Sequence, residues 1–90
     1  MGAEVRLSGS LIARAGARRA TVPVSEETTV VDIVEQLAEE YGPQVKPAIL
    51  DGGRLRSDTV AFRELPTPAE RLAPSSRVRS GDTLRFEVAD

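Results

Sequence analysis

One amphipathic helix, predicted between Thr29 and Pro43, most constrains how this 90-residue chain can fold. Thr29 is a suitable N-cap, Asp32 can complete a capping box with it, and Gly42 favours the end of the helix. An apolar face of this length needs an apolar sheet surface against it. That face is made by residues at helical spacing: Val30, Ile33, Val34, Leu37, Ala38 and Tyr41.

Two segments before this helix alternate apolar and polar residues, as strands do. Val5 and Leu7 face one way in the first segment, and Ala20 and Val22 do so in the second. A short helical turn between them ends at Gly16, so the two strands are predicted to form a hairpin. Pro23 cannot donate a ladder hydrogen bond, which favours either an edge strand or the end of a strand at this position.

Three further extended segments are predicted after the helix. Residues 48–50 form a short buried strand, and Asp51-Gly52-Gly53 favours a tight turn after it. Residues 59–65 form another extended piece. The last strand, residues 83–89, points Leu84, Phe86 and Val88 inward.

A second short helix is predicted in the sequence "TPAERLAP". Thr67 is its N-cap, Pro68 its first residue, Glu70 completes a capping box, and Pro74 ends it. The last strand is apolar enough to lie centrally, beside the first. The predicted fold class is therefore α+β: residues 1–90 form a single β-grasp, or ubiquitin-like, domain, in which a mixed sheet packs on one main helix with a second short helix.

Composition excludes several kinds of chemistry. The chain has no cysteine, which excludes disulfides, thiolate metal sites and thiol catalysis. It has no histidine, the usual general base and commonest metal ligand. No catalytic group of residues is evident, so we expect a protein that is not an enzyme and needs no cofactor or metal.

The charge and hydropathy patterns bear on partners and location. The formal charge of −2 gives no electrostatic reason to bind nucleic acid, and the basic cluster "ARAGARR" lacks aromatic residues for stacking. The apolar runs are too short to cross a membrane. We therefore expect a cytoplasmic protein that binds neither nucleic acid nor membrane.

Four stretches, taken in order, resemble the MoaD/ThiS family of small sulfur-carrier proteins: "VRLSGSLIARAG", "TVVDIVEQLAEEYGP", "ILDGGRL" and "SGDTLRFEVA". The resemblance covers nearly the whole chain. Residues 62–77 have no clear counterpart, and their role stays open. The residues that fit the family's helix motif and closing turn are Thr29, Val30, Asp32, Leu37, Tyr41, Gly81 and Asp82.

The resemblance implies a role for the C-terminal residues. In the family, the last strand leads into a flexible Gly-Gly tail, whose carboxylate an activating enzyme adenylates before sulfur transfer makes it a thiocarboxylate. Ala89 and Asp90 stand at these positions here, and Asp90 adds a second negative charge beside the carboxylate that should react. The prediction is thus a MoaD/ThiS-like protein that acts through protein contacts but lacks the Gly-Gly tail. The alternative is a tail-less adaptor or accessory subunit of a larger enzyme complex, without carrier chemistry.

Ubiquitin-like proteins commonly bind partners through the sheet face opposite the helix. The residues predicted on that face here are Arg6, Arg19, Thr21, Arg85 and Glu87. They can form a docking surface for an acidic protein, since arginine makes bidentate pairs with carboxylates, or simply a solvated sheet face. The partner would be a protein, such as an adenylating activating enzyme or a larger complex. No apolar patch is evident on this face from the sequence.

Overall fold

A computed structural model describes residues 2–64 and 69–88 of the chain and shows a five-stranded mixed sheet with its helices on one face. Along the chain, a separate two-stranded hairpin follows the last helix and precedes the last three strands of the sheet. The elements in that order are β1 (Gly2–Leu7), α1 (Ser10–Ala15), β2 (Arg19–Pro23), α2 (Val30–Tyr41), α3 (Val45–Ile49), β3 (Leu50–Asp51), β4 (Arg54–Leu55), β5 (Thr59–Arg63), β6 (Glu70–Leu72) and β7 (Thr83–Val88).

The sheet has the strand order β2-β1-β7-β5-β6. The first and last strands, β1 and β7, pair in parallel, and the other pairs are antiparallel. The predicted central place of the last strand beside the first is therefore confirmed. Pro23 lies in β2, an edge strand of the sheet, as its missing N–H predicts. Gly52, at a φ of 66°, forms the predicted turn between β3 and β4.

The core lies between one face of the sheet and α2. Residues alternate between buried and exposed along β1, β2 and β7, so each strand turns its apolar side chains to the helix. From α2, the core receives the buried side chains of Val30, Ile33, Val34 and Leu37. The helix begins with the predicted capping box: the Thr29 N–H donates to Asp32 Oδ2 at 3.0 Å, and the Asp32 N–H donates to Thr29 Oγ1 at 3.4 Å.

The second short helix is not where the sequence predicts it. Glu70 to Leu72 form strand β6, which pairs with β5, while Thr67 and Pro68 lie outside the described residues. Leu72 is buried opposite Ala61, and this packing with the ladder hydrogen bonds outweighs the local helix signals. The shorter helical turn predicted before Gly16 does form, as α1.

The strand predicted at residues 48–50 is also placed wrongly. Ala48 and Ile49 end the short helix α3, and the strand β3 begins only at Leu50. Helix α3 packs against α1 and α2, with Val45 and Ile49 buried. A short apolar run is ambiguous between strand and buried helix, and here the neighbouring helices decide it.

The chain after β6 covers the beginning of α2. The first N–H groups of a helix have no partner within the helix, and here the loop supplies carbonyl oxygens to two of them. The Val30 N–H donates to the Ser76 carbonyl at 3.0 Å, and the Val31 N–H to the Pro74 carbonyl at 3.1 Å. This part of residues 62–77 thus has a structural role.

Arg63, at the end of β5, ties the same segment to the sheet. Its side chain is only 18% exposed and its Nε donates to Asp82 Oδ2 at 3.1 Å. One terminal nitrogen donates to Glu70 Oε1 at 2.6 Å, and the other donates to the carbonyl of Arg77. Asp82 in turn accepts the N–H of Arg79 at 2.9 Å. One guanidinium therefore joins β5, β6, the loop and the turn before β7.

We expect Arg63→Met to lower the free energy of unfolding by about 1–3 kcal/mol, because it removes the guanidinium that donates to the half-buried Asp82 carboxylate and to the Arg77 carbonyl. Urea unfolding followed by circular dichroism measures this. Arg54→Met is the matched control: Arg54 is exposed and forms no ion pair among the described residues, so its change should stay within about 0.5 kcal/mol. Equal losses in the two variants would contradict the role assigned to Arg63.

Candidate docking surface

The sheet face turned away from α2, called the open face below, carries all five residues that the sequence assigns to it. Arg6 in β1 lies directly opposite Arg19 in β2 and Arg85 in β7. Thr21 lies opposite Glu4, and Glu87 opposite Val60. Directly opposed residues on paired strands project to the same face. The structure therefore brings these residues onto one continuous surface.

One line of residues crosses all five strands of the open face. Successive register partners from edge to edge define this cross-strand row: Arg19, Arg6, Arg85, Phe62 and Arg71. Four of the five are arginines, and the fifth is an aromatic ring. The row is thus a band of positive charge interrupted by a single apolar residue.

Glutamates flank the row and pair with its inner arginines. Arg6 Nε lies 2.9 Å from Glu4 Oε2, and its Nη1 lies 3.6 Å from Glu64 Oε2. Arg85 Nη1 lies 3.8 Å from the other oxygen of Glu64 and its Nε 3.8 Å from Glu87 Oε1. These side chains are about one-third to one-half exposed, so each pair adds little stability and mainly fixes the geometry of the charges.

Arg85 also stacks on Phe62. The centre of its guanidinium lies 5.5 Å from the centroid of the ring, a distance typical of a cation–π contact. Its Nε is buried and has no hydrogen-bond partner among the described residues, because the Glu87 oxygen is too far away for a hydrogen bond. Phe62 is half-buried, so part of the ring stays accessible between Arg85 and Arg71.

Several residues of this face are not predicted from the sequence. Val60 and Phe62 add apolar atoms to it, and both are half-buried. Alternation within β5 places Ala61 in the core and its two neighbours outside, a pattern visible in "TVAFR". Only the pairing of β5 with β7, and of β6 with β5, shows that Phe62, Glu64 and Arg71 extend the same surface.

The predicted carrier terminus, Ala89 and Asp90, lies outside the described residues. The strand before it is described to Val88, which pairs with Thr59. Of residues 62–77, the described part forms the end of β5, strand β6 and the loop over α2. Phe62 and Arg71 from this segment belong to the open face, while Arg63 and Leu72 point the other way and hold the segment in place.

The remaining surface offers little chemistry for a small ligand. A depression of ≈ 490 Å³ beside α2 is lined by polar residues only: Ser25, Glu27, Thr28, Asp32, Glu35, Gln36 and Glu39. It lacks the apolar walls typical of a small-molecule site. Within residues 2–64 and 69–88, no three acidic side chains are grouped in a way that could hold a metal ion. In the same ranges, no helix has the length and hydropathy needed to cross a membrane.

Comparison with known proteins gives solved structures but no sequence match. No protein-family model matches the chain, and no curated protein matches it. SAMP1 from Haloferax volcanii superimposes with a TM-score of 0.83 at 24% identity, over 100% of this chain and 97% of that one. The Haloferax volcanii HVO 2177 protein gives a TM-score of 0.78 at 16% identity, over 100% of this chain and 84% of that one. A Pyrococcus furiosus protein described as molybdopterin converting factor, subunit 1, gives a TM-score of 0.75 at 12% identity, over 100% of this chain and 99% of that one.

At these identities the similarity establishes the fold and no more. The neighbours include a small archaeal modifier protein and a protein described as a converting-factor subunit, and each is matched over most of its length. The strand order, the parallel central pair and the helix on one face agree with this comparison. The chain has the ubiquitin-like β-grasp fold.

Proposed function

We propose that this protein is a ubiquitin-like protein of the sulfur-carrier type, related to MoaD and ThiS, which acts by docking its open face on another protein. Two solved structures that share its fold over nearly their whole length carry names of this type, a small archaeal modifier protein and a molybdopterin converting factor subunit. The motif order from Thr29 to Tyr41 and at Gly81-Asp82 supports the same assignment.

The observation that carries the proposal is the order of charges on the open face. Arg6 and Arg85 both pair with Glu64, and the half-buried Phe62 ring lies beside Arg85. A face that combines arginines with a partly accessible aromatic ring has the composition of a protein-binding surface. An acidic partner would complement it, since guanidinium groups form bidentate pairs with carboxylates.

In this proposal the protein is a substrate and not an enzyme. An activating enzyme would bind the open face and adenylate the C-terminal carboxylate: a carboxylate oxygen attacks the α-phosphorus of ATP and pyrophosphate leaves. A sulfur donor then displaces AMP to form the thiocarboxylate. The carrier itself supplies a docking surface and an accessible carboxylate, in the cytoplasm, and needs no cofactor.

A second candidate function uses the same face but involves no adenylation or sulfur transfer. The pairs made by Arg6 and Arg85 lie on the sheet and require no reactive terminus, so the protein can equally act as an adaptor or accessory subunit of a larger enzyme complex.

The intact mass of the untagged protein, purified from its own host, distinguishes the two candidates. A carrier predicts residues beyond Asp90, or a mass gain equal to the replacement of one oxygen by sulfur. An adaptor predicts the mass of the unmodified 90-residue chain. A thiol-specific alkylation after mass measurement confirms that any gain is a thiocarboxylate, since the chain has no cysteine to react in its place.

Reversing two charges tests the docking face directly. We expect Arg6→Glu combined with Arg85→Glu to weaken binding to the host's adenylating enzyme by roughly tenfold or more, because both charges would then repel an acidic surface. Isothermal titration calorimetry measures the affinity. Arg18→Glu combined with Arg54→Glu makes the same change in net charge outside the five strands of the sheet: Arg18 precedes β2, and Arg54 lies in the separate hairpin. Equal binding by both double variants would refute docking through the open face.

A further inference from the structure

The arginines of the cross-strand row differ in how far their charge is already neutralised. Arg6 and Arg85, at the centre, contact glutamates within 2.9–3.8 Å. Arg19 and Arg71, at the two ends, take part in no ion pair or side-chain hydrogen bond among the described residues, and both are exposed. The unneutralised positive charge of the row is therefore concentrated at its two ends.

The positions of these ends follow from the strand order. Arg19 lies in the edge strand β2 and Arg71 in the opposite edge strand β6, with three strands between them. At a spacing of about 4.8 Å between strands, the two Cα atoms are about 19 Å apart. Phe62, the neighbour of Arg71 in the row, is the one aromatic residue between them.

Glutamates on the open face limit the kind of anion that can bind. Glu4 and Glu64 flank the row on one side and Glu87 on the other. A nucleic acid strand carries negative charge at every nucleotide, so phosphates laid along the row would pass close to these carboxylates. Two separate carboxylate groups, one at each end, would avoid them. The surface therefore favours a protein ligand over a continuous polyanion.

We propose that the open face selects a protein segment with acidic side chains at both ends, about 19 Å apart, and an apolar side chain between them that packs on Phe62. Each terminal carboxylate would accept hydrogen bonds from one end arginine, Arg19 or Arg71. The central glutamate–arginine pairs would stay intact and fix the position of the ring. This inference names the partner's chemistry and rests on the proposed docking function of the open face.

Synthetic peptides provide the probe. A helical peptide rises 1.5 Å per residue, so about 13 residues span about 19 Å. The first peptide carries two glutamates at each end and a leucine about three residues from one of these pairs, because Phe62 is one strand spacing of about 4.8 Å from Arg71. The second has the same composition with all four glutamates at one end, and the third has lysines in place of the glutamates. Titration into the ¹⁵N-labelled protein, followed by NMR, gives both the affinity and the residues whose amides shift.

We expect the two-ended acidic peptide to bind about three- to tenfold more tightly than the one-ended peptide, and the lysine peptide not to bind. The shifts should fall on β2, β5 and β6, around Arg19, Phe62 and Arg71. Raising the salt concentration should weaken binding, since the end pairs are exposed. Equal affinities of the two acidic peptides would overturn the inference, as would tighter binding of a single-stranded oligonucleotide to the same face.

Single substitutions locate the contacts. Arg19→Gln and Arg71→Gln should each weaken the two-ended peptide about two- to fivefold, and Phe62→Ala should weaken it by a similar or larger factor. Arg54→Gln, off the row, is the matched control and should leave the affinity unchanged. These are half-buried or exposed positions, and the NMR spectrum of each variant shows directly whether it is folded. Unchanged affinity in both end-arginine variants would refute the proposed contacts.

The result separates this inference from the proposed function. One outcome is that the Arg6/Arg85 double variant no longer binds the activating enzyme, while Arg19→Gln and Arg71→Gln leave the affinities for the enzyme and for the two-ended peptide unchanged. In that case the open face docks but selects its partner in another way. If the peptides bind as expected while the activating enzyme binds the double variant as tightly as the unchanged protein, the recognition pattern stands and the proposed docking of that enzyme on the open face fails.

Discussion

The parallel pairing of the first strand with the last is the interaction on which the rest of this structure depends. Val5 lies opposite Leu84 and Leu7 opposite Phe86, and the side chains of Val5, Leu84 and Phe86 have no exposed surface. Nearly the whole chain lies between these strands, so the loss of chain entropy on closing the loop must be offset by burial of this apolar surface. Once the pair is formed, one face of the sheet packs on α2. Because successive side chains of a strand point to opposite faces, every second residue must then face away from the helix.

Because one face of the sheet packs on α2, the hairpin of β5 and β6 has two roles. Its inward residues, Ala61 and Leu72, complete the core, and the Arg63 guanidinium ties it to the turn before β7. Its outward residues, Phe62 and Arg71, then necessarily join the open face. The same hairpin that widens the core by one strand also widens the surface available to a partner. This hairpin therefore affects the open face as well as the stability.

The parts of the fold that the sequence predicts depend on residues close together in the chain, and the parts that it does not predict depend on residues far apart in the chain. Helix α2 could be predicted because its cap, apolar face and terminating glycine are all local in sequence. The helix predicted around Glu70 was wrong because a local capping signal competes there with pairing to β5, which no local pattern reveals. The open face shows the same limit. Alternation places Arg6, Arg19 and Arg85 outward, but only the register shows that Phe62 and Arg71 continue their row.

Charge order, more than net charge, determines what such a face can bind. A chain with a formal charge of −2 gives no reason to expect an acidic ligand, yet its open face presents arginines at both edges and neutralises those at the centre. Exposed ion pairs add little to the affinity for a partner, whereas like charges brought together repel. A fixed arrangement of charges therefore contributes more to the choice among partners than to the strength of binding. Partners of a small carrier or adaptor must be released as well as bound. In the proposed carrier or adaptor role, a few exposed arginines and one half-buried ring would select a partner by their arrangement and still allow its release.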